Sequence, residues 1–327
     1  MNQISLFGLA LASVVAVIHP LRADTVLAED FSADPTSRGW VVHGDPSLFR
    51  WDAEGKNLAV TWDSSKGNSY LHLPLGTTLR ATQEFEFAFT VTLDDIEIGT
   101  TEGKPFTFQI ALGLLNLAGA TEPGFLRGTG FNSPNLLTWD YFPDSGFGAT
   151  ISSTIISEQH RWASSFNSPQ PLDLDTPYTF GLVYTPADRR LKTTMQNGET
   201  VVPLQDVVLQ EDFDGFSVDT LAVASFSDAG QDPQYAGSVL AHGVIDDIRF
   251  TFRPPAIQDF TGRFQDGVWQ ANFVGRSDHR YTLEFSDDLK IWTPLGEAEV
   301  GTGAVQTIID PRAMASHGLY RLKAVKF

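Results

Sequence analysis

The 327-residue sequence has no cysteine and only 3 methionines. Without thiols there can be no disulfide, thiolate metal site, thiol nucleophile or lipidated export signal. Phosphate-cradling glycine loops are missing, and so are the Rossmann fingerprint and the Gly-x-Ser-x-Gly nucleophile elbow. The seven histidines are scattered, with no His-x-x-x-His or His-Glu pairing that would suggest zinc. No convincing amphipathic helix is present; Val207–Gln210 with Phe213–Phe216 is the one place suited to a helical turn.

Basic residues are scarce, 22 Lys and Arg against 40 Asp and Glu, for a net charge of −18. The imbalance is local. Residues 24–254 carry 31 acids against 13 bases, whereas residues 255–327 carry 9 against 8. Such acidity repels phosphate backbones and excludes nucleic acid as a partner. It suits solubility, a neutral ligand or bound cations.

Long apolar runs are missing too. Ile4–Val17 is apolar and uncharged, but too short to span a bilayer comfortably. His19-Pro20 breaks it, and Ala23 offers a small residue before a cut at Asp24. Residues 1–23 are therefore expected to be an export signal, although only the terminal amine supplies positive charge before the run. No later stretch suits a membrane span.

Aromatics and strand signals are abundant. The chain has 24 Phe, 7 Trp and 7 Tyr, with 28 Gly and 18 Pro, a composition that favours strands and turns. The clearest strand is Glu84–Thr92. Phe85, Phe87, Phe89 and Val91 share one face, and Glu84, Glu86, Ala88 and Thr90 the other. Further strands are expected at 57–62, 69–75, 106–114, 135–141, 179–184, 191–196, 221–226 and 243–252. Short strands punctuated by turn residues indicate a sandwich. Arg253-Pro254-Pro255 ends a strand and stiffens a link. Beyond it, strands at 267–274, 280–285, 297–301, 305–309 and 318–325 predict a second, small β domain over 256–327.

Several segments carry a resemblance: FSADPTSRGW, GDPSLFRW, GKPFTFQIALGLLN, NLLTWDYFPDSGFG and FSDAGQDPQYAGSVLAHGVIDDIRF. Together they make residues 24–253 resemble the concanavalin A-like jelly-roll modules of exported bacterial proteins. RYTLEFSDDLKIWTPLG and GLYRLK resemble the small, fibronectin-like C-terminal β modules of the same kinds of protein. The resemblance implies an all-β jelly-roll sandwich followed by a small β-sandwich-like domain. It does not choose a function, since lectins, glycan-binding modules and glycosidases share the fold.

Three kinds of site follow. Glycoside hydrolysis needs paired carboxyls. The Glu-x-Asp-x-x-Glu motif of the laminarinase-like branch is absent, and the nearest substitutes are Glu84 and Glu86, with Asp140 as a third suspect. Asp94-Asp95 and Glu97 read as a loop.

Glycan binding needs aromatic faces with polar groups beside them. Trp139, Asp140, Tyr141 and Asp144, with Trp162 shortly after, are the expected ligand surface. The competing reading buries Trp139 and Tyr141 and leaves the acids as turn caps.

Calcium needs six to eight oxygens. Asp228 and Asp232 flank a glycine in one loop. Asp246 and Asp247 would meet Glu29-Asp30 if the first and last strands pair, which suits a structural calcium ion.

The favoured expectation is an exported, non-catalytic carbohydrate-binding or adhesive module for an extracellular, neutral glycan, placed in the medium, at the cell surface or in the periplasm. A glycosidase or polysaccharide lyase with an atypical carboxylate site and a structural cell-surface protein are the alternatives.

Overall fold

A computed structural model describes residues 25–129, 132–252, 256–265, 267–276, 279–302, 304–310, 312 and 318–327. The expected export signal and the Arg253-Pro254-Pro255 link lie outside these residues.

The protein is all-β, and its larger part is a jelly-roll sandwich. Its strands, in chain order, are β1 (Thr25–Glu29), β2 (Val41–His43), β3 (Phe49–Asp52), β4 (Asn57–Asp63), β5 (Ser69–Arg80), β6 (Phe85–Ile98), β7 (Ile110–Leu115) and β8 (Leu136–Phe142). They continue with β9 (Thr150–Ile156), β10 (Trp162–Ser164), β11 (Tyr178–Thr185), β12 (Arg190–Asn197), β13 (Thr200–Pro203), β14 (Val207–Val208), β15 (Ser217–Ser225) and β16 (Val239–Phe252).

One antiparallel sheet has the order β13-β12-β11-β6-β16-β4-β3, with β1 also on β16 and β14 also on β12. The other has the order β10-β9-β8-β7-β15-β5-β2. The chain crosses repeatedly between the sheets, so the two layers are built from strands distant in sequence.

The layers meet through the face that alternation marks. Along β6, Phe85, Phe87, Phe89, Val91 and Leu93 are buried and the intervening residues are not. Phe89 meets Trp139 of the opposite sheet edge-on, with ring centroids 5.3 Å apart, and Trp139 packs 4.5 Å from Phe180. Aromatic packing of this kind is the main source of stability in such a layer. β1 pairs with β16 in the register Glu29↔Ile248, which joins the start and end of the sandwich.

Four details differ from expectation. The acids Asp94, Asp95 and Glu97 extend β6 instead of forming a loop. The strand expected at 106–114 begins only at Ile110, because Phe106 leaves the sheet to bond the 236–238 segment. Val207-Val208 forms the short strand β14, not a helical turn. Thr150–Ile156, which lacks clean alternation, is a central strand buried on both faces. Hydroxyl side chains there hide the period-2 signal.

The smaller part holds β17 (Ile257–Gln265), β18 (Val268–Gly275), β19 (His279–Ser286), β20 (Thr293–Pro294), β21 (Glu299–Val300), β22 (Val305–Ile309) and β23 (Leu319–Lys326). These form a three-stranded sheet and a four-stranded sheet. Ala271, Phe273, Tyr281, Leu283, Leu295 and Ile308 make a separate core.

Candidate ligand cleft

Inward and outward faces of the seven-stranded sheet are set by its register. Trp139 and Tyr141 point into the interlayer core and are buried. Neighbouring residues of β8 must therefore point out, so Asp140 and Phe142 lie on the outer face. The expectation that Trp139 and Tyr141 form a ligand surface is corrected: both aromatics are taken up by the core. In β10, Ala163 packs against that core, which turns Trp162 outward.

Trp162 and Phe142 line a cavity of about 660 Å³ together with Thr107, Phe108, Gly128, Gly230, Gln231, Asp232 and Tyr235. That volume falls in the range of small-ligand sites, roughly 300–1,000 Å³. Tyr235 is 71% exposed and Trp162 46% exposed. Phe166 meets Trp162 edge-on at 5.8 Å and is also exposed.

Local chemistry presents these rings. Asp232 caps the helical turn Pro233–Tyr235, its Oδ1 accepting from Gln234 N at 2.9 Å, and proline occupies the first turn. This turn carries Tyr235. Gly237 N donates to Gln231 Oε1 at 2.7 Å and fixes that side chain. Ser238 N donates to Phe106 O at 2.8 Å, which stitches the loop after β15 to the segment before β7.

The cleft thus offers aromatic faces, an amide and a carboxylate. Among the described residues lining it, none is Lys or Arg. Of the expected ligand residues, only Trp162 belongs to it. Asp232, expected as a cation ligand, lines it as well. Asp144 instead caps the turn after β8, accepting from Gly146 N at 3.0 Å. Tyr235 was not singled out in the sequence. The one local signal for Tyr235 was the Asp-Pro start of a capped turn.

The catalytic suspects do not converge. Glu86 sits on the outer face of the nine-stranded sheet, where β6 turns its polar residues to solvent, and Glu84 is exposed just before that strand. Asp140 lies on the outer face of the other sheet, so the sandwich separates it from both. Asp140 is fully buried. Its Oδ2 accepts from Arg127 Nη2 at 3.0 Å and from Thr138 Oγ1 at 3.1 Å. Burial raises the pKa of this carboxyl, opposed by Arg127, Thr154 and Thr138.

Of the acids expected to hold a cation, Asp228 is met by a protein cation, while Asp232 caps a turn and Asp246 accepts the Asp247 N–H. Asp228 is buried and accepts from Ser64 Oγ at 3.0 Å, Thr101 Oγ1 at 3.1 Å and the Lys104 ammonium. β1 and β16 do bring Glu29 and Asp30 near Asp246 and Asp247, as the pairing requires. Arg38 bridges Glu29 and Asp30, its Nη1 at 2.7 Å from both Glu29 Oε1 and Asp30 Oδ1. Desolvation raises the pKa of Asp246; Asp247, Asp30 and Glu29 add to this, against a bond from Asp247 N. Among the described residues no group of three or more His, Cys, Asp or Glu is arranged to hold a metal ion.

No family model matches the chain, and no curated protein matches it. Solved structures do. Lectin I-B4 from Griffonia simplicifolia aligns at a TM-score of 0.42 and 12% identity, covering 70% of this chain and 100% of that one. Lectin II from Ulex europaeus aligns at 0.43 and 10%, covering 71% and 100%. An alginate lyase aligns at 0.36 and 10%, covering 70% and 97%.

Proposed function

We propose that this chain is an exported, non-catalytic carbohydrate-binding module that holds a neutral glycan in the Trp162–Tyr235 cleft. The observation that carries the reading is a solvent-open cavity lined by Phe108, Phe142, Trp162 and Tyr235, with Gln231 and Asp232 at its wall. Sugars stack their apolar C–H faces on exposed rings, while amides and carboxylates take their hydroxyls. The net charge of −18 and a lining without Lys or Arg favour a neutral over an anionic polymer. The small C-terminal part would act as a spacer or an attachment to the cell surface.

Catalysis has less support. Glycosidases place two carboxyls about 5–9.5 Å apart around the bond they cut, and among the described residues Asp232 is the one carboxylate in the cleft lining. A single sugar site binds at roughly millimolar to micromolar strength, so firm attachment needs several copies at a surface.

The test is a glycan array with the purified protein, with and without calcium, and mass analysis of the retained material. Retention of an intact neutral polysaccharide is expected. Shortened or unsaturated products would establish an enzyme. An empty array from folded protein would leave a structural or protein-binding role.

A further inference from the structure

We infer that two buried aspartates, Asp140 and Asp228, are positioning residues: each fixes one of the two loops that wall the cleft, and Arg127–Asp140 sets the wall at Gly128. The proposal rests on the cleft being the binding site.

The first loop is held from below. Asp140 lies mid-strand in β8, opposite Ala111 of β7 and Ser152 of β9. These small neighbours leave room for a guanidinium to reach down from the 121–129 segment. Arg127 does so at 3.0 Å while only 7% exposed. Arg127 Nε and Asp140 Oδ1 have no hydrogen-bond partner among the described residues, so mutual charge, with help from Thr138 and Thr154, holds the guanidinium on the carboxylate. A buried ion pair is a poor source of net stability. What it does supply is one position for the chain that carries it.

That position is passed directly to the cleft. Gly128 follows Arg127 and lines the cavity. A Cβ on Gly128 would lie 2.5 Å from Ala229 O and 2.8 Å from Gln231 Cγ. A Cβ on Gly230, which has a φ of +73°, would lie 2.8 Å from Leu126 Cδ1. The two loops therefore interlock through Leu126, Gly128, Gly230 and Gln231, in contacts only glycine permits. The second loop is anchored at its start by Asp228, which collects Ser64, Thr101 and Lys104 from two other segments. Each wall is thus tied to the sandwich by one buried carboxylate. Neither carboxylate lines the cleft.

Three variants of the full chain test this. Arg127→Met/Asp140→Leu removes both charges together and leaves neither one buried alone. Arg127→Lys keeps a cation for Asp140, which a single contact can use. Gly128→Ala pushes the walls apart without touching the ion pair. Hydrogen exchange by mass spectrometry over 121–129 and 227–236 needs no ligand. Affinity for a polysaccharide retained by the wild type, with a thermal melt, completes the set.

The double variant should melt cooperatively yet exchange about tenfold faster in those two segments, with β6, β11 and β16 unchanged. Its affinity should fall about tenfold, and Arg127→Lys should recover most of both. Gly128→Ala should lose affinity and, because its Cβ meets the Ala229 carbonyl oxygen, lower the melting temperature by a few degrees with exchange in β6, β11 and β16 unchanged. Wild-type exchange in the double variant, or faster exchange spread evenly over the sandwich, would overturn the proposal. If that variant does not fold, wild-type exchange and affinity in Gly128→Ala would overturn it instead. If Trp162→Ala abolishes binding while the double variant binds normally, the cleft stands and the positioning role fails. If the wild type retains no glycan, the binding reading fails, and the exchange data alone decide the positioning role.

Discussion

Trp162, on the edge strand β10, and Tyr235, on the capped turn after β15, line one cavity from segments over seventy residues apart in sequence. Tyr235 is largely exposed and Trp162 nearly half exposed, and neither belongs to the buried core. Trp162→Ala and Tyr235→Ala should each weaken glycan retention by about 5- to 10-fold, the loss of one stacking contact of roughly 1 kcal/mol. Melting temperatures should stay within a few degrees of wild type. Affinity electrophoresis with a parallel thermal melt checks both; full retention in the two variants would remove the cleft from consideration.

Trp139→Ala should behave in the opposite way. Its ring is fully buried between Phe89, Phe180 and Tyr141. Truncation should cost about 3–5 kcal/mol and lower the melting temperature sharply. Denaturant titration gives the value, and a loss below about 1 kcal/mol would contradict the packing described.

Asp246 should make stability fall as pH rises. Its folded-state pKa is raised by desolvation and by Asp247, Asp30 and Glu29. A raised carboxyl pKa contributes stability that is present below the unfolded value of 3.8 and lost as pH climbs through the folded value. Asp246→Asn, which keeps the acceptor for Asp247 N, should therefore be more stable than wild type at pH 7 and equal to it near pH 3. Melting curves across that range test the sign. A destabilised Asn variant at pH 7 would mean that the charge is used, for instance by a cation.

Calcium should leave the melting temperature unchanged within about 2 °C, in millimolar calcium or in chelator. Lys104 already compensates Asp228, and Arg38 already bridges Glu29 and Asp30. Ligand-linked stabilisation at a hundredfold excess over Kd would be about 2.7 kcal/mol and easily seen. A clear rise with calcium would support the structural-ion expectation drawn from the acidic pairs.

Lys104→Met should destabilise the protein by about 2–4 kcal/mol, because it leaves Asp228 buried with only hydroxyl donors. Lys104→Met/Asp228→Asn should regain part of that loss. Denaturant unfolding of the two variants measures the difference. Equal stability of the single variant and wild type would show that the pair is not buried in solution.

Local chemistry along the chain was enough to determine the all-β class, the buried face of β6 and most strands, whereas the pairing of the first strand with the last joins residues over two hundred positions apart and belongs to the tertiary structure. The local features follow from period-2 alternation and turn residues, which act over a few neighbours. Trp139 and Trp162 look alike in sequence, each an aromatic beside polar residues. Only the tertiary structure decided that one faces Phe180 across the sandwich and the other faces solvent. Register settles which side of a sheet a residue meets, and whatever loop lies over that side settles whether it is wet. Asp140 and Asp228 make the same point. Each reads as a ligand carboxylate until Arg127 or Lys104 arrives from a distant segment, because charge compensation depends on proximity in space and leaves no local mark in the chain.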